Sequence, residues 1–163
     1  MERKLFIIRH GKSSWDNEGL ADKDRPLNDR GTRSAEMMAG RLADLGLVPA
    51  LIYSSPALRA LNTALIMQRT WDLDSSLLQV HEKLYMAYVD EIAGVVEKAP
   101  DQLESLAIFG HNPSFTIYAN TFLKAPLDNL PTAGVVVLTL ESESWKRIGR
   151  KHVTGTYVDF PKR

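Results

Sequence analysis

Short apolar runs alternate along the chain with longer segments in which apolar residues recur at three- and four-residue spacing. A continuous apolar run is typical of a buried strand, whereas the wider spacing is typical of a helix with one buried face. The runs predict strands at 4–9, 50–55, 77–82 and 105–110, of which 77–82 is the weakest. The spaced segments predict helices at 32–46, 57–71, 88–99 and 113–124.

The order of these elements indicates the fold class. Strands that are apolar on both faces and alternate with helices imply an α/β fold of three layers, a mostly parallel central sheet with helices on both faces. The C-terminal segment from residue 134 does not continue this alternation of strands and helices. Its apolar runs at 134–141 and 145–153 follow one another without a helix and predict a hairpin or edge strands. No repeat, low-complexity segment or linker divides the sequence, which predicts a single domain over 1–163.

Composition narrows the choice of partners and compartment. Twenty basic residues balance twenty acidic ones, which removes the global electrostatic reason to expect nucleic acid or an anionic membrane as partner, although a local basic pocket remains possible. The absence of cysteine excludes disulfides, thiolate chemistry and cysteine metal sites, and is usual in a reducing compartment. No secretory leader or membrane-length apolar run is present, so we expect a cytoplasmic protein.

Polar side chains stand at the ends of three predicted strands. Arg9 and His10 follow the first strand, Arg59 lies one turn into the helix after the second, and His111 follows the strand at 105–110. Ligands of open α/β sheets bind outside the carboxyl ends of the strands, so these four side chains are expected to converge. Arginine forks and helix N-termini match phosphate oxygens. The implied ligand is a phosphoryl group.

The segment "DRPL" contains a further candidate for the pocket. Arg25 is a candidate pocket residue, but we interpret it as a turn anchor that pairs with the neighbouring Asp24. Asn28 or Asp29 is expected to cap the helix that follows, because short polar side chains accept hydrogen bonds from the first turn.

Three motifs carry a family resemblance. "RHG" follows the first strand, "SSPALRALNTA" follows the second and "GHNPS" follows a later one, in an order similar to that of the histidine phosphatase superfamily. The small size, with "RHGKSSW" and "DRPLNDRG", resembles its short phosphohistidine phosphatase branch, the SixA type. The resemblance covers residues 5 to about 140 and implies the phosphoglycerate mutase-like α/β/α fold.

The resemblance also implies a role for each of the four side chains. His10 maps onto the family's nucleophile, and Arg9, Arg59 and His111 map onto the residues that hold the phosphoryl oxygens. In such a reaction a neutral imidazole attacks phosphorus, a phosphohistidine forms, and water then releases phosphate. Cations stabilise the charge that spreads over the equatorial oxygens in the transition state. Neither a metal nor another cofactor is expected.

The general acid has no comparably specific motif. Larger members of the superfamily carry an acidic residue after the third strand. Glu82 is the nearest candidate for this residue here, and Asp90 and Glu91 are alternatives. A solvent-facing position for Glu82 is equally compatible with the sequence. His81 and His152 have no polar residues of this kind beside them and are interpreted as ordinary strand or surface histidines.

Three functions from different classes fit these residues. The first is a phosphatase that acts on phosphohistidine proteins or small phosphorylated compounds. The second is a sugar-phosphate mutase of the same superfamily, for which the stretch 77–88 leaves little room for a closing insertion. The third is a non-catalytic module that binds phosphate or phosphoprotein. A different residue in place of His10 would favour this function, but the histidine is present. The first is preferred, with phosphohistidine ahead of alkyl phosphates because imidazole leaves without a strong acid.

Overall fold

The computed structural model describes residues 1–162, which form a six-stranded sheet with helices packed on both faces. In chain order the elements are β1 (Glu2–Arg9), α1 (Asp29–Asp44), β2 (Leu51–Ser54), α2 (Leu58–Thr70), β3 (Leu78–Val80), α3 (Val89–Glu97), β4 (Ser105–Gly110), α4 (Ser114–Asn120), β5 (Val135–Glu141) and β6 (Val153–Asp159). Within residues 1–162 no helix combines the length and the apolar character needed to cross a membrane.

The strand order is β3-β2-β4-β1-β5-β6. The first four strands in that order pair in parallel, and β5 pairs antiparallel with both β1 and β6. The prediction of a mostly parallel sheet is therefore confirmed. The register places Arg9 level with Gly110 and Ser54 level with Phe109, so that β1, β4 and β2 end side by side at one edge of the sheet.

The sheet has an apolar layer on each face, as the continuous apolar strands predicted. In β1, Leu5 and Ile7 point to one face and pack in the cluster that contains residues of α3 and α4. Phe6 and Ile8 point to the opposite face, in the cluster formed with α1 and α2. Because successive side chains of a strand alternate between faces, a strand covered on both sides must be apolar at every position. The three-layer architecture follows from this pattern.

The start of α1 differs slightly from the prediction. The helix begins at Asp29 because the side chain of Asn28 accepts a 2.8 Å hydrogen bond from the backbone N–H of Gly31, which confirms one of the two predicted caps. The end of α1 lies before Gly46, whose φ of 73° is the left-handed conformation that glycine adopts most readily.

The predicted pair of strands in the C-terminal segment is confirmed, because β5 and β6 pair antiparallel with β6 at the edge of the sheet, but the bounds 145–153 for the second strand are wrong. Trp145 instead lies fully buried, donates its indole N–H to the carbonyl of Leu103 at 3.0 Å, and has the guanidinium of Arg3 over its ring. Burial of this large side chain holds the segment against the core as a turn. The strand β6 has few apolar residues, so the sequence pattern does not predict its bounds.

Candidate active site

The four side chains predicted at the strand ends converge on one cavity. Arg9, His10, Arg59 and His111 all line it, and its volume is about 760 Å³. The ring centroids of His10 and His111 are 5.1 Å apart. The convergence results from the sheet, because β1 and β4 are neighbours and α2 begins beyond the end of β2.

Backbone contacts hold His10 at the end of β1. Its N–H donates to the carbonyl of Gly110 at 3.1 Å, and its carbonyl accepts from the N–H of Ala133 at 2.9 Å. The next residue, Gly11, lies against the first turn of α1, where a Cβ atom would be 2.9 Å from the carbonyl oxygen of Gly31. The chain at this point therefore requires glycine, which explains in physical terms why glycine follows His10.

The hydrogen bond of His10 defines which ring nitrogen is free. Nδ1 lies 2.6 Å from the carbonyl oxygen of Gly11, and because a carbonyl can only accept, Nδ1 carries the proton and Nε2 keeps its lone pair. Burial lowers the pKa of His10 to about 4, and the nearby positive charges of Arg59 and Arg9 act in the same direction. The ring is therefore neutral at pH 7 and is capable of nucleophilic attack.

His111 lies opposite His10 and is also neutral. Burial lowers its pKa to about 3, assisted by the proximity of His10. Its Nε2 is 2.8 Å from the hydroxyl of Ser55, which also accepts the backbone N–H of Ala57 at 3.2 Å. The hydroxyl can donate its own proton to Nε2, which places the ring proton on Nδ1. That nitrogen is buried and has no hydrogen-bond partner within residues 1–162.

The two arginines are held differently. Arg9 donates from one terminal nitrogen to the carbonyl of Leu130 at 3.0 Å, while its buried Nε has no partner within residues 1–162. Arg59 is 7% exposed and donates to Asp22 twice, at 2.8 Å to the carbonyl and at 3.1 Å to Oδ2. One arginine thus retains an unused donor, whereas the other is fixed by a carboxylate.

Asp22 was not found by sequence reasoning, although it connects much of the site. Besides Arg59, it accepts the hydroxyl of Tyr85 at 2.7 Å and a terminal nitrogen of Arg25 at 3.1 Å. The hydrogen bond from Tyr85, followed by those from the two arginines, lowers the pKa of Asp22 to about 2. Two of its partners, Arg59 and Tyr85, lie 37 and 63 residues away, and no local sequence pattern marks contacts at such separations.

Arg25 lines the cavity, so its interpretation as only a turn anchor is wrong, and its carboxylate partner is Asp22 rather than Asp24. It also donates to the hydroxyl of Ser13 at 2.9 Å and stacks on the ring of Trp15 with 3.7 Å between guanidinium carbon and ring centroid. The signal available in the sequence was the pairing of the "RHGKSSW" and "DRPLNDRG" motifs, which lie side by side in the fold through a bridge between residues 13 and 27.

The structure does not bring Glu82 together with the four converging residues. Its side chain is 74% exposed and pairs with Lys23 at 3.1 Å. Glu82 lines a separate groove together with the alternative candidates Asp90 and Glu91. His81, in the same groove, stacks on Tyr53 with ring centroids 4.1 Å apart. The segment that contains Glu82, Asp90 and Glu91 therefore places no carboxylic acid beside His10.

The charged side chains that line the cavity are all cationic. Its cationic lining residues are Arg9, Lys12, Arg25, Arg30, Arg59 and Lys162. No aspartate or glutamate lines the part of the cavity that residues 1–162 form. Within the same residues no group of three histidine, aspartate or glutamate side chains is arranged to hold a metal ion. Such a lining favours a polyanionic ligand, and guanidinium groups suit phosphate oxygens.

Comparison with known proteins agrees with this geometry. A sequence model of the histidine phosphatase superfamily (branch 1) matches residues 5–85. An uncharacterised chloroplastic protein of Arabidopsis thaliana is 30% identical over 155 residues, which cover 90% of this chain and 70% of that protein.

Solved structures extend the similarity to most of the chain. A protein from Agrobacterium tumefaciens assigned as a phosphohistidine phosphatase SixA has a TM-score of 0.77 and 28% identity, over 85% of this chain and 92% of that one. The protein histidine phosphatase SixA in complex with tungstate has a TM-score of 0.82 and 22% identity, over 98% and 97% of the two chains, which shows the shared fold. These similarities support a phosphatase-type enzyme with a phosphoglycerate mutase-like fold. The chain belongs to the histidine phosphatase superfamily.

Proposed function

We propose that this chain is a metal-independent phosphatase that works through a covalent phosphohistidine at His10. The observation that carries the proposal is the state of the His10 ring, which is buried, neutral and fixed by the Gly11 carbonyl so that Nε2 keeps its lone pair. Arg9, Arg59 and His111 line the same cavity and supply donors for the oxygens of a phosphoryl group. These features fit a nucleophile surrounded by anion-binding groups.

In the first step the lone pair of Nε2 attacks phosphorus, and the bond from phosphorus to the leaving group breaks with its electron pair on the leaving group. The proton that the leaving group needs comes from water. The phosphorylated ring carries a positive charge, which the hydrogen bond from Nδ1–H to the carbonyl of Gly11 stabilises. Arg9, Arg59 and His111 stabilise the negative charge on the equatorial oxygens in the transition state.

In the second step water attacks the phosphohistidine. The new bond from oxygen to phosphorus forms as the bond from Nε2 to phosphorus breaks, and the electron pair returns to Nε2. The attacking water releases a proton to solvent, and inorganic phosphate leaves. His10 is then neutral again, in agreement with its lowered pKa. The division into two displacements replaces one difficult step by two easier ones.

The lining of the cavity supports a preference for good leaving groups. No carboxylic acid of residues 1–162 lines it, which favours a leaving group that can be protonated from solvent. Imidazole, whose conjugate acid has a pKa of about 6.5, leaves far more readily than an alkoxide, which is nearly as basic as hydroxide. We therefore propose phosphohistidine, on a protein or on a small compound, as the substrate, and neither nucleic acid nor membrane as partner.

The two alternatives receive less support. A mutase must retain its phosphorylated intermediate and enclose its substrate, but the segment after β3 contains only a short 3₁₀ turn at Glu82–Leu84 before α3. A non-catalytic binding module has no need for a neutral, buried imidazole with a defined free nitrogen.

The proposal is tested with four substrates, namely a phosphohistidine peptide, p-nitrophenyl phosphate, phosphoserine and a sugar phosphate. We expect kcat/KM to be highest for the first two, and brief incubation with a labelled phosphodonor to leave acid-labile, alkali-stable label on the protein. His10→Ala should lose both turnover and label. His152→Ala, outside the cavity, is the matched control and should keep both. Undiminished turnover by His10→Ala contradicts the proposal, and phosphoryl transfer between sugar positions supports the mutase instead.

A further inference from the structure

The cavity extends well beyond the four residues around His10. Its volume is about 760 Å³, whereas one water molecule occupies a share of about 30 Å³ in the liquid, so a phosphoryl group with its few heavy atoms fills only a fraction of it. The remaining wall includes Lys12 and residues from the start of α1, among them Arg30 and Ser34. The cavity therefore has room beside this wall for the part of the substrate beyond the phosphoryl group.

Close backbone packing places Lys12 and Arg30 on the same wall. The carbonyl of Lys12 accepts a 2.9 Å hydrogen bond from the N–H of Asn28, the residue that caps α1. A Cβ atom on Gly31 would lie 2.2 Å from the same carbonyl oxygen, so the chain at Lys12 and the first turn of α1 are in direct contact. Arg30 precedes Gly31 in this turn, and its side chain lines the same cavity as that of Lys12.

The charges of Lys12 and Arg30 are not neutralised. Within residues 1–162 neither side chain has an ion pair or a hydrogen bond, in contrast to Arg25 and Arg59, which both pair with Asp22. Two cations without counter-ions in one cavity, which no carboxylate of the described chain lines, favour a second anionic group on the ligand.

We propose that Lys12 and Arg30 form a second anionic subsite, so that the preferred substrate carries a phosphate or carboxylate beside the phosphoryl group that is cleaved. This inference rests on the proposed phosphatase function, because it assigns the scissile phosphoryl group to His10. It adds a requirement on the substrate that the leaving-group argument does not contain. The second group binds by charge and hydrogen bonds to both cations and does not react.

The test uses phosphonates, whose carbon–phosphorus bond is not hydrolysed, so that binding is measured separately from turnover. Calorimetric titration compares methylphosphonate with methylenebisphosphonate and propane-1,3-bisphosphonate. For the wild type we expect the better bisphosphonate to bind about tenfold more tightly than methylphosphonate, as two partly exposed ion pairs allow. Lys12→Ala combined with Arg30→Ala should reduce this ratio to about twofold or less. High salt should reduce it in the wild type, since exposed charges are screened.

Arg33→Ala is the matched control, because Arg33 is an exposed arginine on the same helix that does not line the cavity. It should keep the wild-type ratio, and the single charge reversal Arg30→Glu should abolish the preference. Equal binding of the mono- and bisphosphonates by the wild type, or a ratio that the double variant leaves unchanged, overturns the subsite. Should the bisphosphonate preference depend on Lys12 and Arg30 while His10 is never phosphorylated, the subsite stands and the proposed reaction fails.

Two pairs of substrates identify where the second anion comes from. One pair consists of phosphohistidine peptides that differ by aspartate or asparagine next to the phosphohistidine. The other consists of aryl phosphates with and without a second phosphate. A higher kcat/KM for the anionic member of either pair, lost in the Lys12 and Arg30 double variant, supports the subsite and names the source. Equal kcat/KM within both pairs overturns it.

Discussion

The backbone N–H of Gly11 donates a 3.0 Å hydrogen bond to the hydroxyl of Thr63. The same hydroxyl donates to the carbonyl of Arg59 at 2.8 Å, so a single side chain links the loop after His10 to the first turn of α2. Thr63 is fully buried, and water therefore cannot replace either bond. The relative positions of His10 and Arg59 depend on this hydroxyl.

Thr63→Val keeps the shape of the side chain but leaves the N–H of Gly11 buried without a partner. Such a loss costs about 1–3 kcal/mol of stability, and a small displacement of His10 relative to Arg59 is expected to lower kcat/KM by about tenfold or more. Urea unfolding and steady-state kinetics measure the two effects. Thr63→Ser retains the hydroxyl and should stay close to the wild type in both, and a fully active Thr63→Val would show that the link is dispensable.

The sequence predicted that Arg9, His10, Arg59 and His111 converge, but not the contacts that hold them. Arg9, His10, Arg59 and His111 follow strands, and parallel strands that are neighbours must end together, so their convergence is a consequence of the apolar pattern. Thr63 is different, because its role arises from a contact between α2 and a loop 52 residues earlier in the chain. No periodicity encodes a contact of that kind.

Two glycines of α1 provide a prediction with an internal control. Gly31→Ala would place a Cβ atom 2.2 Å from the carbonyl oxygen of Lys12, so the loop that follows His10 must move. We expect a lower melting temperature and lower activity. Gly40→Ala introduces the same methyl group where no atom lies within 4 Å, and in a helix interior this exchange should stabilise the protein by about 0.5–1 kcal/mol. Equal effects of the two substitutions would contradict the close approach at Gly31.

Asp22 is expected to position Arg59 through its two hydrogen bonds. Asp22→Asn removes the charge that holds the guanidinium, and we predict that kcat for p-nitrophenyl phosphate falls by about tenfold, since the arginine is no longer preorganised. Asp24→Asn, at an exposed position two residues later, is the matched control and should keep the wild-type kcat. Tyr85→Phe removes one of the donors to Asp22 and should have a smaller effect. An unchanged kcat in Asp22→Asn would refute the positioning role.

The two histidines of the cavity predict a loss of stability in acid. Their folded-state pKa values are lowered to about 4 and about 3, whereas the unfolded value is about 6.5. Below pH 6.5 the unfolded chain therefore binds protons that the folded chain does not, and stability falls as the pH decreases toward 4. Each histidine should cost about 2 kcal/mol between pH 7 and pH 4.5. Urea unfolding at both pH values should show a smaller difference for His10→Gln, whereas His152→Gln should match the wild type.

The C-terminal segment and Arg25 show the other limit of sequence interpretation. The pattern at 145–153 predicts a strand, but one large buried side chain, Trp145, holds this segment against the core. Arg25 stands beside the acidic residue Asp24, yet it pairs with Asp22 because the loop brings Asp22 toward Arg59 and Tyr85 as well. In both cases tertiary packing decides between local structures or ion-pair partners that the local sequence does not distinguish.

Glu82 provides the sharpest test of how the leaving group is protonated. Its carboxylate pairs with Lys23 and is 74% exposed, and it lies outside the cavity that contains His10. We therefore expect Glu82→Gln to retain kcat/KM within about twofold on phosphohistidine, aryl and alkyl phosphates alike, because no proton passes through this residue. In a series of aryl phosphates, kcat/KM should fall steeply as the leaving group becomes more basic, with the same slope in wild type and variant. A selective loss of alkyl phosphate hydrolysis in Glu82→Gln would instead make this carboxyl the missing acid, and the argument for phosphohistidine from the leaving group would no longer hold.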